Sequence, residues 1–231
     1  MKIVFISDTH NLQDQVTLPE GDILVHAGDL TMMGRMNEIA AAGHWLRKQP
    51  HRYKVVVAGN HDWMFAKNRM MAVSLLNQGL VGGERKGEIV YLEDSMVTIN
   101  GLKIWGSPWQ PTFFDWAFNA DRGAAIKRYW DAIPEGLDIL VTHGPPMGIH
   151  DQIAAHLGSE HLGCEELMAA VERVKPKIHV FGHIHGGYGQ TQYVNTLFIN
   201  AAICNEGYKA VNDPIVIELP DGKAEEEKES A

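Results

Sequence analysis

The sequence predicts an α/β domain in which two β-sheets pack together with helices on the outside. Apolar runs of strand length alternate with helical stretches through residues 2 to 77. The runs become short and turn-separated from residue 88 onward, as a second sheet would require. In both halves these runs end on polar residues of metal-ligand type, a rhythm that suits a sandwich better than one open sheet.

In order, Lys2 to Ser7 is a buried strand with Asp8 at its C-terminal edge, and Asp22 to Ala27 is a second that ends in Gly28-Asp29. Arg35 to Lys48 reads as a helix, with Met36, Ile39, Gly43 and Leu46 along one face. Lys54 to Ala58 is a third strand leading into Gly59-Asn60-His61-Asp62, and a helix is expected from about Trp63 to Asn77. Short strands follow at Glu88 to Leu92, Ser95 to Ile99 and Leu102 to Trp105, the last two joined by the hairpin signal Asn100-Gly101. Residues 117 to 131 read as helix. Leu137 to Thr142 is a strand ending at His143, after which Gly144-Pro145-Pro146 stops regular structure. Residues 147 to 162 read as loop with room for a short helix, and Cys164 to Val174 as helix. Lys177 to Phe181 is a strand that runs into Gly182-His183-Ile184-His185, with short strands near 190 to 194, 197 to 201 and 214 to 218. A single domain is expected over 1–220, with 221–231 a charged, frayed tail.

The bulk properties set limits. The chain has 231 residues, 45% of them hydrophobic, enough for one substantial core. A net charge of -9 argues against capture of long nucleic acid, while a short nucleotide stays open because metal ions invert the local field. The apolar opening is too short for a signal-peptide core and no stretch could span a bilayer, so the expected location is the cytoplasm, without membrane contact. Cys164 and Cys204 form no motif and read as ordinary thiols. Nothing in the sequence fixes the number of subunits.

Asp8 and His10, Asp29, Asn60 and His61, His143, and His183 and His185 all directly follow buried strands. Ligand sites lie beyond the carboxyl ends of parallel strands, so these groups are expected to share one cleft. Carboxylate, imidazole and amide oxygen together suit manganese, iron or zinc, and no thiolate set points to structural zinc. Asp8 and His10 can hold one ion from a single turn, Asp29 can bridge with its two oxygens, and Asn60 and His143 would complete a second ion. His183 and His185 can each face a different ion. Two divalent ions against two carboxylates leave the site positive, which draws in a phosphate ester and activates water. Gly28, Gly59 and Gly182 permit tight turns beside the ions.

The ordered set Asp8-x-His10, Gly28-Asp29, Gly59-Asn60-His61-Asp62, Thr142-His143-Gly144 and Gly182-His183-x-His185 resembles the calcineurin-like metallophosphoesterase superfamily. The resemblance spans roughly residues 2 to 201. The longer pieces His143 to Pro146, Gly182 to Gly189 and Asn200-Ala201-Ala202 resemble the branch of metallophosphoesterase-domain-containing (MPPED-like) proteins. The resemblance implies a four-layer fold, a two-sheet β-sandwich flanked by helices. It implies that Asp8, His10, Asp29 and His185 hold one ion and that Asp29, Asn60, His143 and His183 hold the other. It makes His61 a catalytic residue, oriented and polarised by Asp62. The implied cofactors are two divalent ions, manganese or iron first, with zinc or magnesium as alternatives.

The expected activity is hydrolysis of small phosphodiesters, cyclic nucleotides among them, by in-line attack of a hydroxide bridging the ions. His61 would either protonate the leaving alcohol or act only electrostatically. The alternatives are a phosphomonoesterase and a noncatalytic metal-binding scaffold. Blander readings apply elsewhere. His26 is expected to be structural or to support the ligands, His179 to sit in the core, and His44 and His51 to need no function. One of His150, His156 and His161 could reach substrate from the loop after the two prolines. Met32, Met33 and Met36 fit helix packing at least as well as a pocket lining. The aromatic stretch Trp105, Trp109, Phe113, Phe114 and Trp116 fits burial by the second sheet, with a substrate rim as the alternative.

Overall fold

A computed structural model describes residues 1–78, 89–153 and 160–219. The elements are β1 (Lys2–Ile6), β2 (Ile23–His26), α1 (Met36–Lys48), β3 (Tyr53–Val56), α2 (Trp63–Lys67), α3 (Arg69–Leu76) and β4 (Ile89–Tyr91). Then come β5 (Ser95–Ile99), β6 (Leu102–Ser107), β7 (Gln110–Pro111), β8 (Asn119–Ala120), α4 (Ala124–Asp131) and β9 (Ile139–Thr142). The last are α5 (Glu165–Val174), β10 (Ile178–Phe181), β11 (Gly189–Tyr193), β12 (Thr196–Asn200) and β13 (Ile215–Glu218).

The first sheet has the order β13-β1-β2-β3-β4, parallel except for the antiparallel edge strand β13. The second has the order β11-β12-β10-β9-β6-β5, with a parallel centre and antiparallel edges at β11 and β5. Strands buried on both faces explain the near-continuous apolar runs. In β1, Ile3 and Phe5 face the opposing sheet, where they meet Ile139, Val141 and Val180. Val4 and Ile6 face the other way, into a core with Ile39, Leu46 and Phe65 from α1 and α2. On the far side, Leu140, Phe181 and Phe198 pack against Trp130 of α4 and Leu167 of α5. The result is the helix–sheet–sheet–helix sandwich expected.

The structure corrects several element boundaries. The helix expected over 63 to 77 is two helices that break at Asn68, whose side chain accepts from the Met71 amide at 3.1 Å and so caps α3. The helix expected over 117 to 131 begins only at Ala124, because Asn119–Ala120 pairs in parallel with Gln110–Pro111. Glu88, His156 and the tail 221–231 fall outside the described residues. Among the described residues no helix is long and apolar enough to cross a membrane. Both cysteines are free and buried.

Candidate metal centre

Five strand ends converge on one point. The first sheet brings Asp8 and His10 after β1, Asp29 after β2, and Asn60 and His61 after β3; the second brings His143 after β9, and His183 and His185 after β10. Asp8, His10, Asp29 and His183 have φ of 53°, 43°, 53° and 66°, a left-handed region uncommon for side-chain-bearing residues. Hydrogen bonds between the turns hold them there. Asp8 N donates to Gly28 O (2.9 Å), His10 N to Asp29 O (3.0 Å) and His183 N to Asp8 Oδ2 (3.0 Å). The turns are close enough that a Cβ on Gly182 would lie 1.9 Å from Asp8 Oδ2, and one on Gly59 would lie 2.2 Å from Asp29 Oδ1.

The inward atoms are carboxylate and amide oxygens crowded against imidazole nitrogens. His143 Nδ1–H donates to Ala27 O at 3.0 Å and His185 Nδ1–H to Asn205 O at 3.0 Å, which turns Nε2 of each toward the centre. His185 Nε2 lies 3.2 Å from His10 Nε2 and 3.3 Å from Asp8 Oδ1. His143 Nε2 and His183 Nδ1 each lie 2.8 Å from Asn60 Oδ1. Asp29 Oδ2 stands between the groups, 3.7 Å from His10 Nε2 and 3.4 Å from His143 Nε2. Asp8, His10 and His185, and likewise Asp8, Asp29 and His143, each bring ligand atoms within 4.8 Å of one another. All ion-pair partners of Asp8 and Asp29 among the described residues are histidines. Nitrogen and oxygen ligand atoms this close together, without Lys or Arg between them among the described residues, suit cations, so the residues fit metal ions.

The electrostatics follow from burial and these neighbours. Burial alone would raise Asp8, but the hydrogen bond and charge of His185 hold it well below the usual carboxylate range. Burial also opposes the ionised form of Asp29, and the charge and hydrogen bond of His143 outweigh it in the same way. Burial lowers His10 to about 4 and His183 to about 3, which keeps both neutral as ligands must be. His143 is opposed by burial yet lifted to about 9 by Asp29, so a cation at its Nε2 would displace a proton.

His61 sits at the rim. Its amide donates to Asp29 Oδ1 at 2.8 Å and its Nδ1–H to Met32 O at 2.7 Å, leaving Nε2 for a ligand. The expectation that Asp62 orients this ring is corrected. The Asp62 carboxylate accepts from Leu30 N (3.2 Å), Thr31 N (3.0 Å), Thr31 Oγ1 (2.6 Å) and Gly59 N (2.9 Å). It braces the turn carrying Asp29 against the turn carrying Asn60. Burial, then the charge of Asp29, push it up to about 6; the bonds from Thr31 and Gly59 limit that rise, so it is mostly ionised at neutral pH.

The cleft over the centre has a volume of about 510 Å³. His61, His183 and His185 form part of its floor, and Phe113, Trp116 and Tyr208 part of its walls. Tyr208, Glu206 and Arg122 are cleft residues that sequence reasoning missed, and no local pattern marks them. Tyr208 reaches the site through a turn at Asn205, with its ring 4.9 Å from that of His10. In the aromatic stretch, Trp105 is buried by the second sheet as expected, but Phe113 and Phe114 are 54% and 78% exposed and Trp116 lines the cleft. Met33 and Met36 are exposed, so helix packing does not account for them. His26 is buried and neutral between Thr9 and the Gly28 amide, and His179 is a core residue bonded to Thr142. His150 bonds Thr191 and His161 bonds Asp151, and neither is among the residues lining the cleft.

Residues 1–187 match the calcineurin-like phosphoesterase family. The human and mouse metallophosphoesterase domain-containing protein 1 are each 42% identical over 235 aligned residues, covering 95% of this chain and 71% of theirs. The crystal structure of TT1561 from Thermus thermophilus shares the fold, with a TM-score of 0.58 and 14% identity over 86% of this chain and 88% of that one. The chain belongs to the calcineurin-like phosphoesterase family, in its metallophosphoesterase-domain branch.

Proposed function

We propose that the protein hydrolyses phosphate esters with two divalent metal ions and prefers small diesters to monoesters. Asp8, His10, Asp29 and His185 would hold one ion, and Asp29, Asn60, His143 and His183 the other. The mixed nitrogen and oxygen donors suit manganese or iron, with zinc and magnesium as alternatives. Bound ions would supply Lewis acidity and activated water for in-line attack at phosphorus. His61 contributes from Nε2, because its Nδ1 is held by Met32 O. From there it protonates the departing alcohol or stabilises its charge.

The observation that supports diesters is the state of Arg122. It is the one Lys or Arg among the described residues lining the cleft, and its guanidinium is already bound to Leu162 O, Gly163 O and Glu165. A monoester dianion would find no free cationic side chain there, whereas a diester monoanion needs less compensation. The small cleft with apolar and aromatic walls fits a diester with a compact second ester arm, cyclic nucleotides included.

The test is turnover of metal-free protein reconstituted separately with manganese, iron, zinc or magnesium. The substrates are an aryl monoester, an aryl diester and 2′,3′- and 3′,5′-cyclic nucleotides. Metal-dependent turnover that favours diesters is expected, with large losses in His61→Ala and Asn60→Ala. Monoester preference would make the protein a phosphatase, and no turnover with both sites filled would make it a metal-binding scaffold.

A further inference from the structure

With Asp62 engaged elsewhere, the His61 ring has, among the described residues, one hydrogen bond, from Nδ1 to Met32 O, and ring contacts on its faces. We propose that Trp116 is the positioning residue that keeps the His61 imidazole in the plane selected by its bond to Met32. This rests on the reading of His61 as a catalytic group. The Trp116 and His61 rings lie 4.3 Å apart with 33° between their planes. The Met32 carbonyl, 2.7 Å from Nδ1, selects the ring torsion, because Cβ, Cγ and Nδ1 together define the plane; one hydrogen bond bends easily, so the ring can still rock about Cβ–Cγ. His10, edge-on at 4.6 Å and 79°, and Trp116 restrict that rotation.

The loop carrying Trp116 is fastened to the turn that carries His61. The Ala117 amide donates to the Asn60 carbonyl at 3.3 Å, so neighbouring residues of the loop touch neighbouring residues of the turn. Gln110 Nε2 donates to Ala117 O at 2.8 Å, and Asn119 Nδ2 to Phe114 O at 2.9 Å. The β7–β8 ladder closes the base of the loop. Trp116 is half-buried and therefore held, not swinging in solvent.

The test is a double-mutant cycle in the metal-loaded enzyme with an aryl phosphodiester, with metal content measured for each variant. Trp116→Ala should lower kcat about 10- to 100-fold, the scale of a misplaced catalytic group, with KM and metal content little changed. Trp116→Phe, which restores a stacking face, should recover most of the loss. In the His61→Ala background, Trp116→Ala should cost nothing further, because its effect passes through His61. An undiminished loss in that background, or a raised KM at unchanged kcat, would overturn the proposal and make Trp116 a substrate contact. No loss in Trp116→Ala would overturn it outright. If His61→Ala itself keeps full turnover, the reading of His61 falls and takes this one with it. Should Trp116→Ala not fold, Trp116→Leu keeps the volume without the stack and is read the same way.

Discussion

Asp62→Asn separates a brace from a catalytic partner. The carboxylate accepts four hydrogen bonds, two on each oxygen. An amide keeps one acceptor oxygen and puts an NH₂ where the other stood. Its best orientation places that NH₂ toward Thr31, whose hydroxyl can rotate to accept, while the oxygen keeps Leu30 N and Gly59 N. The Thr31 amide is then left buried without a partner, at about 1–3 kcal/mol, while the charge assistance lost in the remaining bonds is offset by relief of the burial and Asp29 repulsion that push this carboxyl up. The net is about 1–3 kcal/mol, which for a domain of this size lowers Tm by about 2–12 °C. Metal-free protein followed by thermal circular dichroism reads the loss directly. Turnover at a temperature where the variant is fully folded and metal-loaded should stay within about tenfold of the parent, since the His61 ring is oriented elsewhere. An unchanged Tm with a kcat loss on the scale of general acid–base catalysis, about 10²–10⁴-fold, would refute the reasoning and return Asp62 to the side of His61.

Further outcomes follow from the same geometry. Gly182→Ala should reduce metal content and abolish turnover while leaving the far-ultraviolet spectrum intact, because the added Cβ falls on Asp8 Oδ2 at 1.9 Å. His26 and His179 are both held near 3 by burial, below the ordinary value of 6.5. The unfolded chain therefore takes up protons first as pH falls below 6.5, and stability should drop by up to about 1.4 kcal/mol per pH unit for each histidine down to about pH 3. Tm of the metal-free protein at pH 7.5, 6 and 5 checks this, and His179→Phe should flatten the profile. Arg122→Ala should loosen the Leu162–Gly163 segment yet change the ratio of diester to monoester turnover by less than about threefold, as expected for a guanidinium already committed to the chain.

What was legible in the sequence follows from how each residue is placed. Asp8, His10, Asp29, Asn60, His143, His183 and His185 each follow a strand buried on both faces, and a strand of known direction delivers its next residues to a known edge. Trp116 and Tyr208 arrive through loops whose course depends on tertiary contacts, such as the Asn60–Ala117 bond and the Asn205 turn. Asp62 misleads because it adjoins His61 in sequence; there the chain enters α2, and the carboxylate turns back onto the amides of Leu30, Thr31 and Gly59. The β7–β8 pair has two residues per strand, too few for any alternation to show. The break at Asn68 leaves no clear mark because one Asn can sit within a helix or cap the next one with equal ease.

The convergence of strand ends from both sheets has a mechanical consequence. On the proposed assignment each ion takes ligands from both halves of the sandwich, Asp8, His10 and Asp29 against His185 for one, Asp29 and Asn60 against His143 and His183 for the other. Each ion is then a rivet through two plates otherwise joined by apolar contacts and a few hydrogen bonds at this same edge, among them Ser7 N to Ala201 O and His183 N to Asp8 Oδ2. Loading the centre and locking the sheets become one event, so resistance to unfolding should climb with free metal concentration, and strain applied between the sheets should be felt first as loss of an ion.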